Sequence, residues 1–228
     1  MLKNDLHVHS IHSGHAYGTI YEIVEEAENK NMDIIGICDH GPAMEGSAPP
    51  THFLMGSRLP DFDIKVLWGC EANILNGEGK TDLPYEKIER LDYASVSLHP
   101  YCGYRDLGKE KNTDALIQAM KHPKIKFLSH PTHQNFSVEM DRVIEAAVER
   151  DVWLEINLSY LEKNLDKIRD MIQTTKSLGG TFIINSDAHF LEEIGDDSVL
   201  EKIELDLDDG EVINKRINPK NVEEHLAG

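Results

Sequence analysis

Imidazoles and carboxylates recur where short apolar runs of this chain end. Asp5-Leu6-His7-Val8-His9 closes the first run, Asp39-His40 the second, Cys70-Glu71 the third and His99-Pro100 the fourth. His130-Pro131 closes the fifth, Glu155-Ile156-Asn157 the sixth and Ser186-Asp187-Ala188-His189 the seventh. Side chains alternate across an extended chain, so Asp5, His7 and His9 are expected on one face, with Leu6 and Val8 on the other. A lone HxH reads more readily as two core histidines, or as an exposed pair with no role, than as metal ligands. The full set does not, because burying so many polar groups at one rim without cations leaves them unsatisfied. Imidazole and carboxylate with no thiolate pair suit zinc, manganese or iron at a catalytic site, not a closed structural zinc. A carboxylate among them can bridge two cations.

The elements that carry these residues alternate strand and helix. Strands are expected at Leu2–His9, Asp33–Asp39, Ile64–Glu71, Tyr93–Leu98, Ile125–Ser129, Val152–Asn157 and Phe182–Ser186, each a short apolar run. Helical periodicity predicts helices over Thr19–Asn29, Asn112–Lys121, Ser137–Arg150 with Ser137 as N-cap, and Leu161–Leu178 stopped by Gly179-Gly180. Asn218-Pro219 is expected to open a last short helix. Gly41–Pro60 reads as a long functional loop after the second strand. Strand–helix units in this number predict a closed or nearly closed α/β barrel in a single domain, residues 1–228, with an open doubly wound sheet as the alternative. Barrels of this kind place their active sites at the C-terminal ends of their strands, where the ligand-type residues stand.

Composition narrows the function. The 228 residues are 40% hydrophobic and 28% charged, as in a soluble globular protein, and no apolar run approaches the ~20 residues that cross a bilayer. With no signal-like start, a cytoplasmic location is expected. Three separated cysteines make a disulfide framework improbable, and Cys38 and Cys70 read as small core residues. The formal net charge of −18 repels nucleic acid and anionic membrane. An anionic substrate then needs a concentrated positive charge, which bound metal ions would supply. Twelve histidines, spread from end to end, are the compositional departure.

DLHVHS, HSGHAYG, ICDHGP, GCEANI, SLHP, LSHP, LEIN and NSDAH follow one another along nearly the whole chain. In order and interval they resemble the motifs of the PHP (polymerase and histidinol phosphatase) family, and most closely its small stand-alone bacterial phosphatases. The resemblance implies a distorted (β/α)7 TIM-like barrel with three divalent ions at its C-terminal rim. By position it places His7, His9, Glu71 and Asp187 on one ion, and His15, His40 and His189 on a second. Glu71 would bridge from the first ion to a third, completed by His99 and His130. Asp187, Glu71 and His9 are the candidate catalytic residues. The implied reaction is hydrolysis of a small phosphomonoester, a phosphorylated metabolite, by a metal-activated hydroxide.

Around this set, Asp5 is expected to hold His7 or another ligand by a hydrogen bond, and Asn157 to reach the rim. His12 and His133 are candidates for touching substrate or protonating the leaving group. Arg58 and Arg105 are candidates for a distal phosphate or carboxylate. His52, His122 and His225 read as surface histidines. The alternatives are a phosphodiesterase or 3′–5′ exonuclease, an amidohydrolase-type hydrolase, and a non-catalytic metal-binding module. A basic aromatic groove would favour the first, and a strand-end lysine the second; neither is present.

Overall fold

Residues 1–133 and 135–227 are described by a computed structural model. Its strands are β1 (Asn4–Val8), β2 (Ile34–Ile37), β3 (Lys65–Trp68), β4 (Glu71–Asn73), β5 (Ala94–Ser97), β6 (Ile125–Leu128), β7 (Trp153–Asn157) and β8 (Phe182–Asn185). All paired strands run parallel, in the orders β1-β2-β3 and β4-β5-β6-β7-β8. A parallel bridge from His40 to Glu71 joins the two sheets on one side, and one from Val8 to Ala188 joins them on the other. The result is a distorted (β/α)7 barrel.

The third expected strand appears as two segments, β3 and β4. β3 pairs with β2, whereas β4 pairs with β5. The exchange happens at Gly69-Cys70, where Gly69 N–H donates to Ile37 O and Cys70 O accepts from Ser95 N. A side chain at Gly69 would strike the Tyr93 ring.

Along the strands, side chains turn alternately inward and outward. Leu6, Ile34, Leu67, Tyr93, Phe127, Trp153 and Ile183 form an inner apolar cluster, with Ile213, Ile217, Val222 and Leu226 of the C-terminal segment packed on it. The outward residues pack against the helices α1 (Ile20–Asn29), α2 (Tyr85–Ile88), α3 (Lys109–Ala119), α4 (Met140–Glu149) and α5 (Leu165–Ser177). Toward the C-terminal rim of the strands the buried residues become polar, among them His7, His9, His40, Glu71, His99, His130 and Asp187, and this is where the site lies.

Helix ends differ from expectation where tertiary contacts intervene. α1 starts as predicted, on a Thr19/Glu22 capping box. α4 begins at Met140, not at Ser137. Buried Asn112 and Thr113 of α3 hold the preceding segment extended, through Asn112 Nδ2 to Ser137 O and Glu139 N to Thr113 Oγ1. α5 ends on Gly179, at φ 73°, with Gly179 N and Gly180 N bonded to Lys176 O and Thr175 O. The last helix, α6 (Val222–Leu226), starts after Pro219, because the Asn218 side chain accepts from Lys220 N and folds that stretch into a turn. Gly41–Pro60 is irregular apart from short 3₁₀ turns at His52–Leu54 and Gly56–Arg58. It is tied down by Ala48 N to His12 O and Trp68 Nε1 to Phe53 O.

Candidate metal centre

Glu71 opens β4 and is fully buried at the centre of the rim. Its Oε2 lies 2.7 Å from His40 Nδ1, 3.4 Å from His7 Nε2 and 3.7 Å from His9 Nε2. Its Oε1 lies 2.9 Å from His130 Nε2 and 3.4 Å from His99 Nε2. One carboxylate therefore faces two sets of imidazoles with different oxygens. Asp187 Oδ1 sits 3.1 Å from His9 Nε2 and 3.5 Å from His7 Nε2.

Among the described residues, three trios bring their candidate ligand atoms within 4.8 Å of one another: His7, His9 and Asp187; His9, His40 and His189; and His40, Glu71 and His99. His15, exposed on the loop after β1, lies outside these trios, with its ring 5.0 Å from that of His40 and 4.8 Å from that of His189. His130 and Asp187 hold left-handed backbone angles, φ 32° and 59°, which only the surrounding packing can maintain in such residues.

The fit to cations rests on orphaned atoms. His7 Nε2, His9 Nε2, His40 Nδ1 and Glu71 Oε2 are buried, converge, and make no well-directed hydrogen bond among the described residues. Burial opposes charge on His9 and on His99, and holds both well below the usual imidazole range, so each keeps a lone pair for a cation. Burial also opposes charge on Glu71, yet His99, His7, His40 and His130 outweigh it and hold the carboxyl well below its usual range. At His7 burial is outweighed by Glu155, Asp187 and Glu71, which hold that imidazole well above its usual range. The buried carboxylates thus demand positive charge, and protons on imidazole are what metal binding displaces. No thiolate competes: Cys38 and Cys102 are pushed up to about 12 by burial.

Four of the candidate ligand rings, those of His7, His9, His99 and His189, are held through their other nitrogen. His7 Nδ1 donates to Glu155 Oε1 at 2.7 Å, and Glu155 also accepts from His130 N, Asn157 Nδ2 and Asn185 Nδ2. His9 Nδ1 meets Ser13 Oγ at 2.9 Å, and Ser13 donates to buried Asp39. His99 Nδ1 donates to Asn73 Oδ1 at 2.7 Å, and His189 Nδ1 to Asp187 O at 2.9 Å.

Several sequence-based candidates stand elsewhere. Asp5 does not touch a ligand ring: its carboxylate accepts from Ser186 Oγ and N, Gly195 N and His7 N. The pairing register of β1 shifts between Asp5 and Val8, so strict alternation fails there, and Leu6 enters the inner apolar cluster instead. Glu155 does the holding that was expected of Asp5. A charged residue between Leu154 and Ile156 of an apolar strand was its sequence signal. Asn157 Nδ2 donates to Asp187 Oδ2 at 3.1 Å.

His12 packs against His52, ring centroids 4.3 Å apart. His52 is not a free surface residue, since its Nε2 bonds Asp39 Oδ2. His122 is likewise buried, against Tyr85. Arg58 and Arg105 are exposed and do not line the cleft over the cluster. That cleft, about 390 Å³, is walled by Met44, Glu45, Tyr101, Asn135 and Tyr160 around the candidate ligands, with no lysine or arginine in its lining among the described residues. His133 stacks on Tyr160, centroids 3.8 Å apart, at its edge.

The sequence matches the PHP domain family over residues 5–193. It is 34% identical over 97% of its length to a probable phosphatase of Clostridium acetobutylicum, covering 93% of that protein. It is 35% identical over 97% of its length to a probable phosphatase of Caldicellulosiruptor saccharolyticus, covering 99% of that protein. Among solved structures, a Lactococcus lactis histidinol phosphate phosphatase complexed with zinc, L-histidinol and phosphate superposes with a TM-score of 0.57. That likeness spans 83% of this chain and 87% of that one at 16% identity, so it speaks for the fold.

Proposed function

The chain belongs to the PHP domain family, and from that premise we propose that it is a metal-dependent phosphatase that hydrolyses a small phosphomonoester at a three-ion site. The carrying observation is the convergence of orphaned ligand atoms from His7, His9, His40 and Glu71. It occurs in a chain that aligns almost end to end with proteins named probable phosphatases.

In this reading His7, His9, Glu71 and Asp187 hold one ion, and His15, His40 and His189 a second. Glu71, His99 and His130 hold the third. Divalent ions held there supply Lewis-acid chemistry, lowering the pKa of water and offsetting charge on a phosphoryl group. The protein's own side chains do the rest. Glu71 divides its oxygens between two groups of imidazoles, and Asp187 is fixed at the cleft floor by Asn157. With no lysine or arginine in the lining, the cleft depends on ions to receive a phosphoryl dianion. Tyr160, its hydroxyl pushed up to about 12 by burial, remains a proton donor in the wall. His133, held below the usual imidazole range by burial and by His130, Lys167 and Lys163, is neutral near pH 7 and serves there as an acceptor.

The test is a panel of phosphate esters with protein stripped by chelator and reconstituted with manganese, zinc or iron. Metal-dependent phosphate release, fastest on small monoesters, is expected. A panel on which no metal restores release would remove the reading.

A further inference from the structure

Asp82 touches no candidate ligand, yet it stands behind one. Just past β4 the chain turns back on itself: Ile74 bridges Thr81, Leu75 N donates to Lys80 O, and Asp82 N donates to Asn73 O. This return brings the Asp82 carboxylate against Asn73. Oδ1 accepts from Asn73 N at 2.9 Å, and Oδ2 accepts from Asn73 Nδ2 at 2.6 Å and from Ala43 N at 2.8 Å. Asn73 Nδ2 also donates to Gly41 O at 3.2 Å. The fit is close, for a Cβ on Gly41 would collide with this carboxylate.

We propose that Asp82 is a positioning residue that sets the tautomer of His99 through Asn73. An ionised carboxylate and a carbonyl only accept, so the side of the Asn73 amide that faces Asp82 and Gly41 has to be its NH₂. The opposite side, Oδ1, then faces His99 Nδ1 at 2.7 Å and can only accept from it. Cys102 Sγ donates to the same oxygen, in keeping with that orientation. His99 must therefore carry its proton on Nδ1, which leaves the Nε2 lone pair turned toward Glu71 and His130. Ser97 Oγ lies 3.0 Å from both ring nitrogens and, as a hydroxyl, accommodates either tautomer. It selects nothing. Burial holds the Asp82 carboxyl above its usual range, and donation from the Asn73 side chain and the backbone N–H groups of Ala43, Asn73 and Leu83 offsets only part of that shift. Through Ala43 N the same carboxylate, and through Gly41 O the Asn73 amide, pin the base of the loop whose Met44 and Glu45 wall the cleft.

The inference rests on His99 being a ligand, and its readout is separable from that premise. Long-range ¹H–¹⁵N correlation on the metal-free protein reports which His99 nitrogen bears the proton. The expected wild-type signal is Nδ1–H. A wild-type Nε2–H signal would overturn the proposal without any variant. In Asp82→Asn, where both amides can turn, we expect a tautomer mixture and ~10–100-fold weaker binding of the last manganese or zinc equivalent. The exchange variant Asn73→Asp/Asp82→Asn returns an acceptor to His99 and should recover the Nδ1–H signal, which a merely structural role would not produce. Asp82→Asn with an unchanged tautomer and unchanged metal affinity refutes the relay. An Nδ1–H signal that responds to Asp82→Asn in a protein taking up no metal supports the relay and faults the metal reading instead.

Discussion

Glu71 shows how one side chain can organise a site, because its two oxygens face different imidazoles. Glutamine keeps the volume but offers one neutral oxygen and an amide. Glu71→Gln should lower bound metal by more than one equivalent and turnover by more than the ~10–100-fold lost with a ligand's supporting partner. Circular dichroism should be unchanged, since the apolar clusters are untouched. Arg58→Ala, outside the cleft lining, should leave metal content alone.

Asp39 invites a pH test. Burial would raise its carboxyl, but bonds from His52, Ser13 and Ser10 outweigh that and hold it below the usual range. Its folded pKa is depressed, so its contribution is complete above the unfolded value, about 3.9, and fades as pH falls through the folded value. Asp39→Asn should thus be destabilised at pH 7, and its deficit against wild type in urea unfolding should shrink below about pH 4. A deficit that stayed constant down to pH 2 would contradict the assignment.

At the scale of elements, the barrel's inner wall is tight around β2. A methyl on Gly36 would meet the Tyr93 hydroxyl and lie 2.8 Å from Leu6 Cα. That hydroxyl donates to Leu6 O at 2.6 Å, linking the residue before β5 to β1 across the interior. Gly36→Ala should cost about 1–3 kcal/mol by overpacking, read as a lower urea midpoint. Thr19→Ala, removing the exposed cap of α1, should cost about 1 kcal/mol and leave metal binding intact. The contrast separates a substitution that moves the strands under the site from one that does not.

For the whole molecule, a net charge of −18 with a cation-demanding cleft favours compact anions over long ones. Single-stranded DNA adds a repulsion for every phosphate outside the cleft, and a monoester adds none. The monoester rate should exceed nuclease activity at physiological salt, and higher ionic strength should narrow the gap by screening. Nuclease activity that dominates at low salt would reverse this ranking. None of the helices is long and apolar enough to cross a membrane among the described residues.

Strand–helix alternation, the C-terminal rim and the ligand-type residues were legible in the sequence, because periodicity and strand-end position are local properties. His99 and His130 stand just past strand ends whatever the packing does, whereas Glu71, expected at a strand end, opens β4. The partners of those residues were not legible. The register shift in β1 sent Asp5 to Ser186 and left His7 to Glu155, a residue 148 positions away. Ser137 lost its capping role to α3, and His52 lost its place on the surface to Asp39. Asn73 and Asp82 carried no signal at all, since an amide and a carboxylate acquire a direction only when the barrel sets them face to face. The candidate ligands are written along the strands; the hydrogen bonds that hold rings such as His7 and His99 run across them, between residues that only closure of the barrel makes neighbours.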